Sequence, residues 1–288
     1  MRKVCGVVVV LVLALRWTSA QSLPAAIFTD PPADAAHPAG TVVLHIPSHG
    51  VSINGLLYTP TGAGPHPTLV LCHGLPGNEK NLDLAQAVRR AGWNAVTFNY
   101  RGSWGSPGSF RFTQNPEDAA SVLAYLRDPA NAARLGVDPG RIVLAGHSMG
   151  GWVTALTASR DSKLLGAILI SAADFGAIAH APRETIVALM ADNRETLADV
   201  TPQSMADEVI AHAGEFSFSN ATEGLSHLPL LVLSADDDLA PQTDALVRSI
   251  QARGGKRVTA IHAATDHAWS DRRIYLQATI LNWLATLK

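Results

Sequence analysis

Apolar runs of strand length alternate with helix-period segments along most of the chain. Thr41 to Ile46 and Ile53 to Thr59 read as an early pair of strands able to close as an antiparallel hairpin. Thr68 to Cys72 is a continuous apolar run, the pattern of a strand covered on both faces. Helix Asn81 to Ala91 follows, and Gly92 can end it as a C-cap. Strand Asn94 to Tyr100 leads to helix Pro116 to Arg127, whose first turn carries Glu117 and Asp118 where unpaired N–H groups favour negative charge. Strand Arg141 to Ala145, helix Gly150 to Ser159 and strand Gly166 to Ser171 continue the pattern. Strand Pro229 to Ser234, helix Gln242 to Ala252, strand Arg257 to His262 and a helix from Ser270 to Leu287 complete it.

Strands alternating with helices predict βαβ units, and therefore an α/β fold with a mostly parallel central sheet and helices on both faces. Residues 174–228 break the rhythm, being helical and polar-rich with no clear strand, and are expected to form a small cap over the sheet edge. Residues 21–40 are rich in Pro and Ala and read as a linker. The expectation is one domain over 21–288, with no internal repeat.

Residues 1–20 belong to a different pattern. Arg2 and Lys3 precede the apolar run Gly6 to Leu15, and Thr18-Ser19-Ala20 offers small residues before Gln21. That is the layout of a cleaved secretory signal peptide, and the run is too short to span a bilayer. Export to the periplasm or the exterior is expected, with no stable membrane insertion after cleavage. Cleavage also removes Cys5 and leaves Cys72 without a disulfide partner. The apolar run around Cys72 makes it a small buried hydrophobe rather than a reactive thiol. Charge narrows the partners further: the 288 residues carry a net charge of −2 with no run of Lys or Arg, which disfavours nucleic acid. No zinc-ligand spacing, Cys pair or phosphate-cradling glycine loop occurs, so no metal or cofactor is implied.

The chemistry centres on Gly146-His147-Ser148-Met149-Gly150, with a strand before it and a helical pattern after it. A serine on a sharp strand-to-helix turn is lifted above the C-terminal end of a sheet, and small flanking residues let the two elements approach closely. With His73-Gly74-Leu75-Pro76-Gly77, Asn99-Tyr100-Arg101-Gly102, Asp236-Asp237-Asp238 with Pro241, and Asp266-His267, the chain resembles the α/β-hydrolase superfamily. The likeness is to its serine esterase and acylaminoacyl-peptidase-like branch, and it spans nearly the whole chain after the leader.

The resemblance implies a Ser-His-acid triad, in the chain order nucleophile, acid, base. Ser148 is then the nucleophile. Among 11 histidines, His267 lies in a loop after the last strand and just before the last helix, which selects it as general base. His262 falls within a strand, and His180, His212 and His227 fall in the cap. The acid lies at 236–238, and the spacing in similar family members favours Asp237 over Asp236 and Asp238. The resemblance also assigns the oxyanion-hole N–H groups to Leu75 and Met149; Pro76 has none to give. It makes Arg101 a structural hydrogen-bonder, while Trp104, Phe110 and Phe112 could wall the pocket or cover the surface.

The expected activity is hydrolysis of carboxylic esters through an acyl-serine intermediate, on a small-molecule ester or a short acyl or peptidyl substrate. A serine peptidase on the same triad is the rival within the class. A non-catalytic binding protein that keeps the fold is the rival outside it. Oligomeric state is left open.

Overall fold

The computed structural model describes residues 23–287, so the expected leader at 1–20 lies outside the described residues. Strands β1 (Gly40–Ser48), β2 (Val51–Thr59), β3 (His66–Cys72), β4 (Asn94–Phe98), β5 (Val137–His147), β6 (Gly166–Ile170), β7 (Leu230–Ala235) and β8 (Val258–Ala263) form one sheet. Its order is β1-β2-β4-β3-β5-β6-β7-β8. The β1–β2 hairpin is antiparallel, β2 pairs antiparallel with β4, and every later pairing is parallel.

Helices α1 (Leu82–Arg90), α2 (Asn115–Arg127), α3 (Pro129–Leu135), α4 (Met149–Ala158), α10 (Ala240–Ala252) and α11 (Arg273–Leu284) flank the sheet. Between β6 and β7 lie α5 (Phe175–Ile178), α6 (Arg183–Asp192), α7 (Pro202–Ala211), α8 (Ala213–Phe216) and α9 (Thr222–Leu225).

Successive strand residues face opposite ways, and this divides the core in two. Leu69 and Leu71 of β3 pack with Leu84 and Val88 of α1 and with Leu276 and Ile280 of α11. Val70 and Cys72 face the other way, toward a cluster holding Leu123 of α2, Trp152 of α4 and Ile250 of α10. All five residues of β6 and all six of β7 are buried, which is why these strands read as unbroken apolar runs. Fully burying one such aliphatic side chain is worth about 1.5–3 kcal/mol.

Two features depart from the sequence reading. Helix α3 was not anticipated, although Asp128 accepts the N–H groups of Ala130 and Asn131 and Gly136 closes the helix at φ 63°. The stretch read as a linker is partly docked: Ala25–Ile27 form a helical turn, and Arg90 Nε donates to the carbonyl of Ala26 at 2.5 Å. The apolar residues Ala26 and Ile27 lie against the core there, and so hold this segment down.

Parallel strands all end on the same edge. The segments after β3, β5, β6, β7 and β8 therefore converge, and they carry His73 to Gly77, Ser148, Ser171, Asp236 to Asp238, and Thr265 to His267.

Candidate active site

Ser148 sits between β5 and α4 with φ 58° and ψ −120°, a conformation that L-residues adopt only under constraint. The constraint is supplied by close packing. A Cβ on Gly146 would lie 1.9 Å from the carbonyl oxygen of Gly150, and one on Gly150 would lie 2.0 Å from that of Cys72. Only glycine fits either place. The turn is pinned by backbone bonds: Ser148 N–H donates to Ile170 at 2.9 Å, and Ala173 N–H donates to Ser148 at 3.2 Å. Met149 opens α4, so its amide belongs to the helical turn whose N–H groups have no partner within the helix.

Of the three adjacent aspartates, Asp237 is the one that meets His267, with Oδ2 2.7 Å from Nδ1. Asp236 instead reaches His262 Nε2 at 2.9 Å, and Asp238 turns the backbone at φ 63°. The Asp237 side chain is only 4% exposed. Burial works to raise its pKa, but hydrogen bonds from His267, the Leu239 amide and the Ser171 hydroxyl outweigh it and hold the carboxyl below its ordinary value. Because Asp237 only accepts, the proton between the pair lies on His267 Nδ1, leaving Nε2 free to take one up.

Several residues that sequence reasoning passed over support this pair. Trp269 Nε1 donates to Ser171 Oγ at 3.1 Å, so a buried indole backs the hydroxyl that serves Asp237. Arg273 reaches back from α11 and donates to the carbonyl of Ala268 at 2.9 Å, while also holding Asp83 and Asn81. His147 donates from Nε2 to the carbonyl of His267 at 2.8 Å, and the two rings lie 4.7 Å apart. Trp269 and Arg273 lie within six residues of His267, which was the available signal.

Leu75 lies on the loop after β3, half-buried, and Gly74 beside it backs onto the Ser148 turn: a Cβ there would come 3.1 Å from Ser148 Cβ. This brings the loop holding Leu75 against the Ser148 turn. Trp104 braces the loop, donating from Nε1 to Pro76 at 2.7 Å while Lys80 Nζ lies 4.1 Å from the centre of its ring. Asn99 accepts from Lys80 at 2.9 Å.

Arg101 is buried away from the serine. Its Nε donates to Asp118 at 2.7 Å, its backbone N–H donates to the same carboxylate at 2.8 Å, and Nη2 reaches Glu117 at 2.6 Å. Phe110 and Phe112 are fully buried, in a run of rings that continues through Phe175 and Trp152 to Phe216. They seat residues 175–216 on the body of the protein instead of walling an open pocket. Cys72 is buried, and desolvation pushes its thiol up to about 12, so it offers no thiolate near neutral pH. Among the remaining candidates, His180 is exposed, His212 stacks on Phe216, and His227 faces Glu223 on the surface.

A serine on a strained strand-to-helix turn, above a parallel sheet in this strand order, defines the α/β-hydrolase class. Residues 69–278 match the model of the alpha/beta hydrolase family, and the chain belongs to that family as a hydrolase. It is 25% identical over 218 residues to an uncharacterised Mycobacterium tuberculosis protein, covering 68% of this chain and 75% of that one. The fold resembles the Pyrobaculum calidifontis esterase, with 22% identity, TM-score 0.62 and 88% of each chain covered. It also resembles the Pyrococcus horikoshii acylaminoacyl peptidase, with 16% identity, TM-score 0.67 and 86% of this chain matched to 42% of that one.

Proposed function

We propose that the protein is a serine hydrolase of carboxylic esters, with Ser148 as nucleophile, His267 as general base and Asp237 orienting it. The observation that carries this reading is the His267 Nδ1–Asp237 Oδ2 contact of 2.7 Å, on loops that converge with the strained Ser148 turn. The kinship to esterase folds supports the ester as substrate.

A serine hydroxyl is a weak nucleophile until a neighbouring base removes its proton. His267 Nε2 takes that proton as Ser148 Oγ bonds to the ester carbonyl carbon. The carbonyl oxygen becomes an oxyanion, received by the backbone N–H groups of Leu75 and Met149. Each such donor contributes about 3 kcal/mol to the transition state. Asp237 holds the Nδ1–H tautomer and stabilises the imidazolium. On collapse the C–O bond breaks, and His267 hands its proton to the departing alcohol. Water then attacks the acyl-serine by the same steps in reverse order, releasing the acid and restoring Ser148. Residues 1–20 further suggest that this chemistry takes place after export.

The test is hydrolysis of p-nitrophenyl esters from acetate to palmitate, beside Ser148→Ala and an aminoacyl-p-nitroanilide. Turnover of esters that drops by about 10⁴-fold or more in Ser148→Ala is expected. Cleavage of the anilide in place of esters would replace this reading with a peptidase. Ester turnover unchanged in Ser148→Ala would remove the nucleophile assignment.

A further inference from the structure

We infer that His147 is a positioning residue for His267: a neutral imidazole that ties the base loop to the nucleophile turn through the His267 carbonyl. The inference rests on the proposed roles of Ser148 and His267.

The geometry is one-directional. A carbonyl oxygen can only accept, so the 2.8 Å contact requires the proton of His147 to sit on Nε2. Nδ1 faces the glycine of the neighbouring loop: a Cβ on Gly74 would lie 3.6 Å from it. The ring is thus enclosed between the loop of Leu75 and the loop of His267. It is 5% exposed, and burial, helped by the charge of a protonated His267, lowers its pKa to about 4. Arg273 also disfavours its charged form, while the His267 carbonyl and Asp237 favour it.

This arrangement answers a mechanical need. His267 is on a loop, its side chain is 40% exposed, and among the described residues its only hydrogen-bonded side chain is Asp237, on Nδ1. That contact fixes one end of the ring, and the loop's bonds to Asp236 and Arg273 hold its backbone without tying it to the Ser148 turn. The His147 donor closes the gap, because residue 147 is covalently next to the nucleophile. It also adds no charge beside a base that must become cationic during the reaction. A base displaced by about 1 Å can cost on the order of 10²-fold in rate.

The test compares His147→Gln, which keeps an N–H donor at similar reach, with His147→Phe, which keeps the ring and loses the donor. Both are assayed on p-nitrophenyl acetate beside Ser148→Ala. His147→Phe is expected to lose about 10–100-fold in kcat with KM within about twofold, and His147→Gln to recover most of that loss. Should His147→Phe fail to fold, His147→Asn carries the test; its shorter amide does not reach the carbonyl and should show the same kcat loss. Wild-type kcat in the donor-less variants, or a Gln variant as impaired as they are, overturns the inference. Full activity in Ser148→Ala would instead locate the failure in the underlying catalytic reading.

Discussion

Acidification from pH 7 to pH 5 should weaken this protein more than its surface charges would suggest, because two histidines are buried neutral around the site. His73 is 3% exposed and His147 is 5% exposed, and each has its pKa lowered from the ordinary 6.5 to about 4. Desolvation is the leading cause for both; Lys80 adds to it at His73, and His267 and Arg273 add to it at His147. In the unfolded chain each imidazole takes up a proton as the pH falls through about 6.5, while the folded chain resists until about 4. Between those limits the unfolded state binds more protons, so stability is full above the upper value and declines toward the lower one. From pH 7 to pH 5 the loss comes to about 2 kcal/mol per histidine, or about 4 kcal/mol together. That is a large share of the 5–15 kcal/mol typical of a folded domain. Urea denaturation at pH 7, 6 and 5 is the assay. With a slope of about 2–3 kcal/mol per molar, the midpoint should fall by about 1.5 M. His147→Gln, which cannot be protonated, should remove roughly half of that fall. A midpoint that stays level between pH 7 and 5, or a Gln variant that keeps the whole decline, would refute the reasoning.

Two further outcomes follow from the site and its supports. Asp237→Asn should lower kcat by about 10³–10⁴-fold, while Asp236→Asn and Asp238→Asn stay within a few-fold, as read from kcat on one short ester. Asp118→Ala takes the carboxylate away from the buried Arg101 Nε and backbone N–H and from the Ser48 hydroxyl, leaving the guanidinium with the half-exposed Glu117 and the hydroxyl with Ser121. Losing one partner of a buried pair costs about 3–5 kcal/mol, so the melting temperature should drop by roughly 10 °C, and an unchanged value would mean the pair is dispensable.

The centre of the sheet was legible because its strands are buried on both faces. β6, most of β7 and the Leu69–Cys72 part of β3 are apolar runs, and the glycines around Ser148 announce a turn where backbones nearly touch. Other elements were harder to read for local reasons. Helix α3 is short, with two buried residues, so its Asp-Pro start and Gly end outweigh its weak periodicity. The docking of Ala25–Ile27 depends on Arg90, more than sixty residues away, which no local pattern reveals.

The site divides in the same way. Ser148 and His267 stand out through motif and chain order. The choice among three adjacent aspartates depends on which carboxylate points inward, and only the fold shows Asp236 turned to His262 and Asp237 to His267. The aromatic loop residues illustrate the limit from the other side. By sequence Phe110 and Phe112 could wall a pocket or cover the surface; both are buried instead, because Phe112 packs on Phe175, far along the chain, which in turn packs on Trp152. His147 was hidden within its own motif, where the neighbouring serine draws the attention.

Covalent labelling shows whether Ser148 is the activated nucleophile. The folded protein would be treated with a fluorophosphonate, weighed intact, and digested to locate the adduct. A single phosphonyl adduct on Ser148 is expected, formed at neutral pH and slowed strongly in His267→Ala. A folded protein that takes up no label, or takes it up on another residue with Ser148 unmodified, would contradict it.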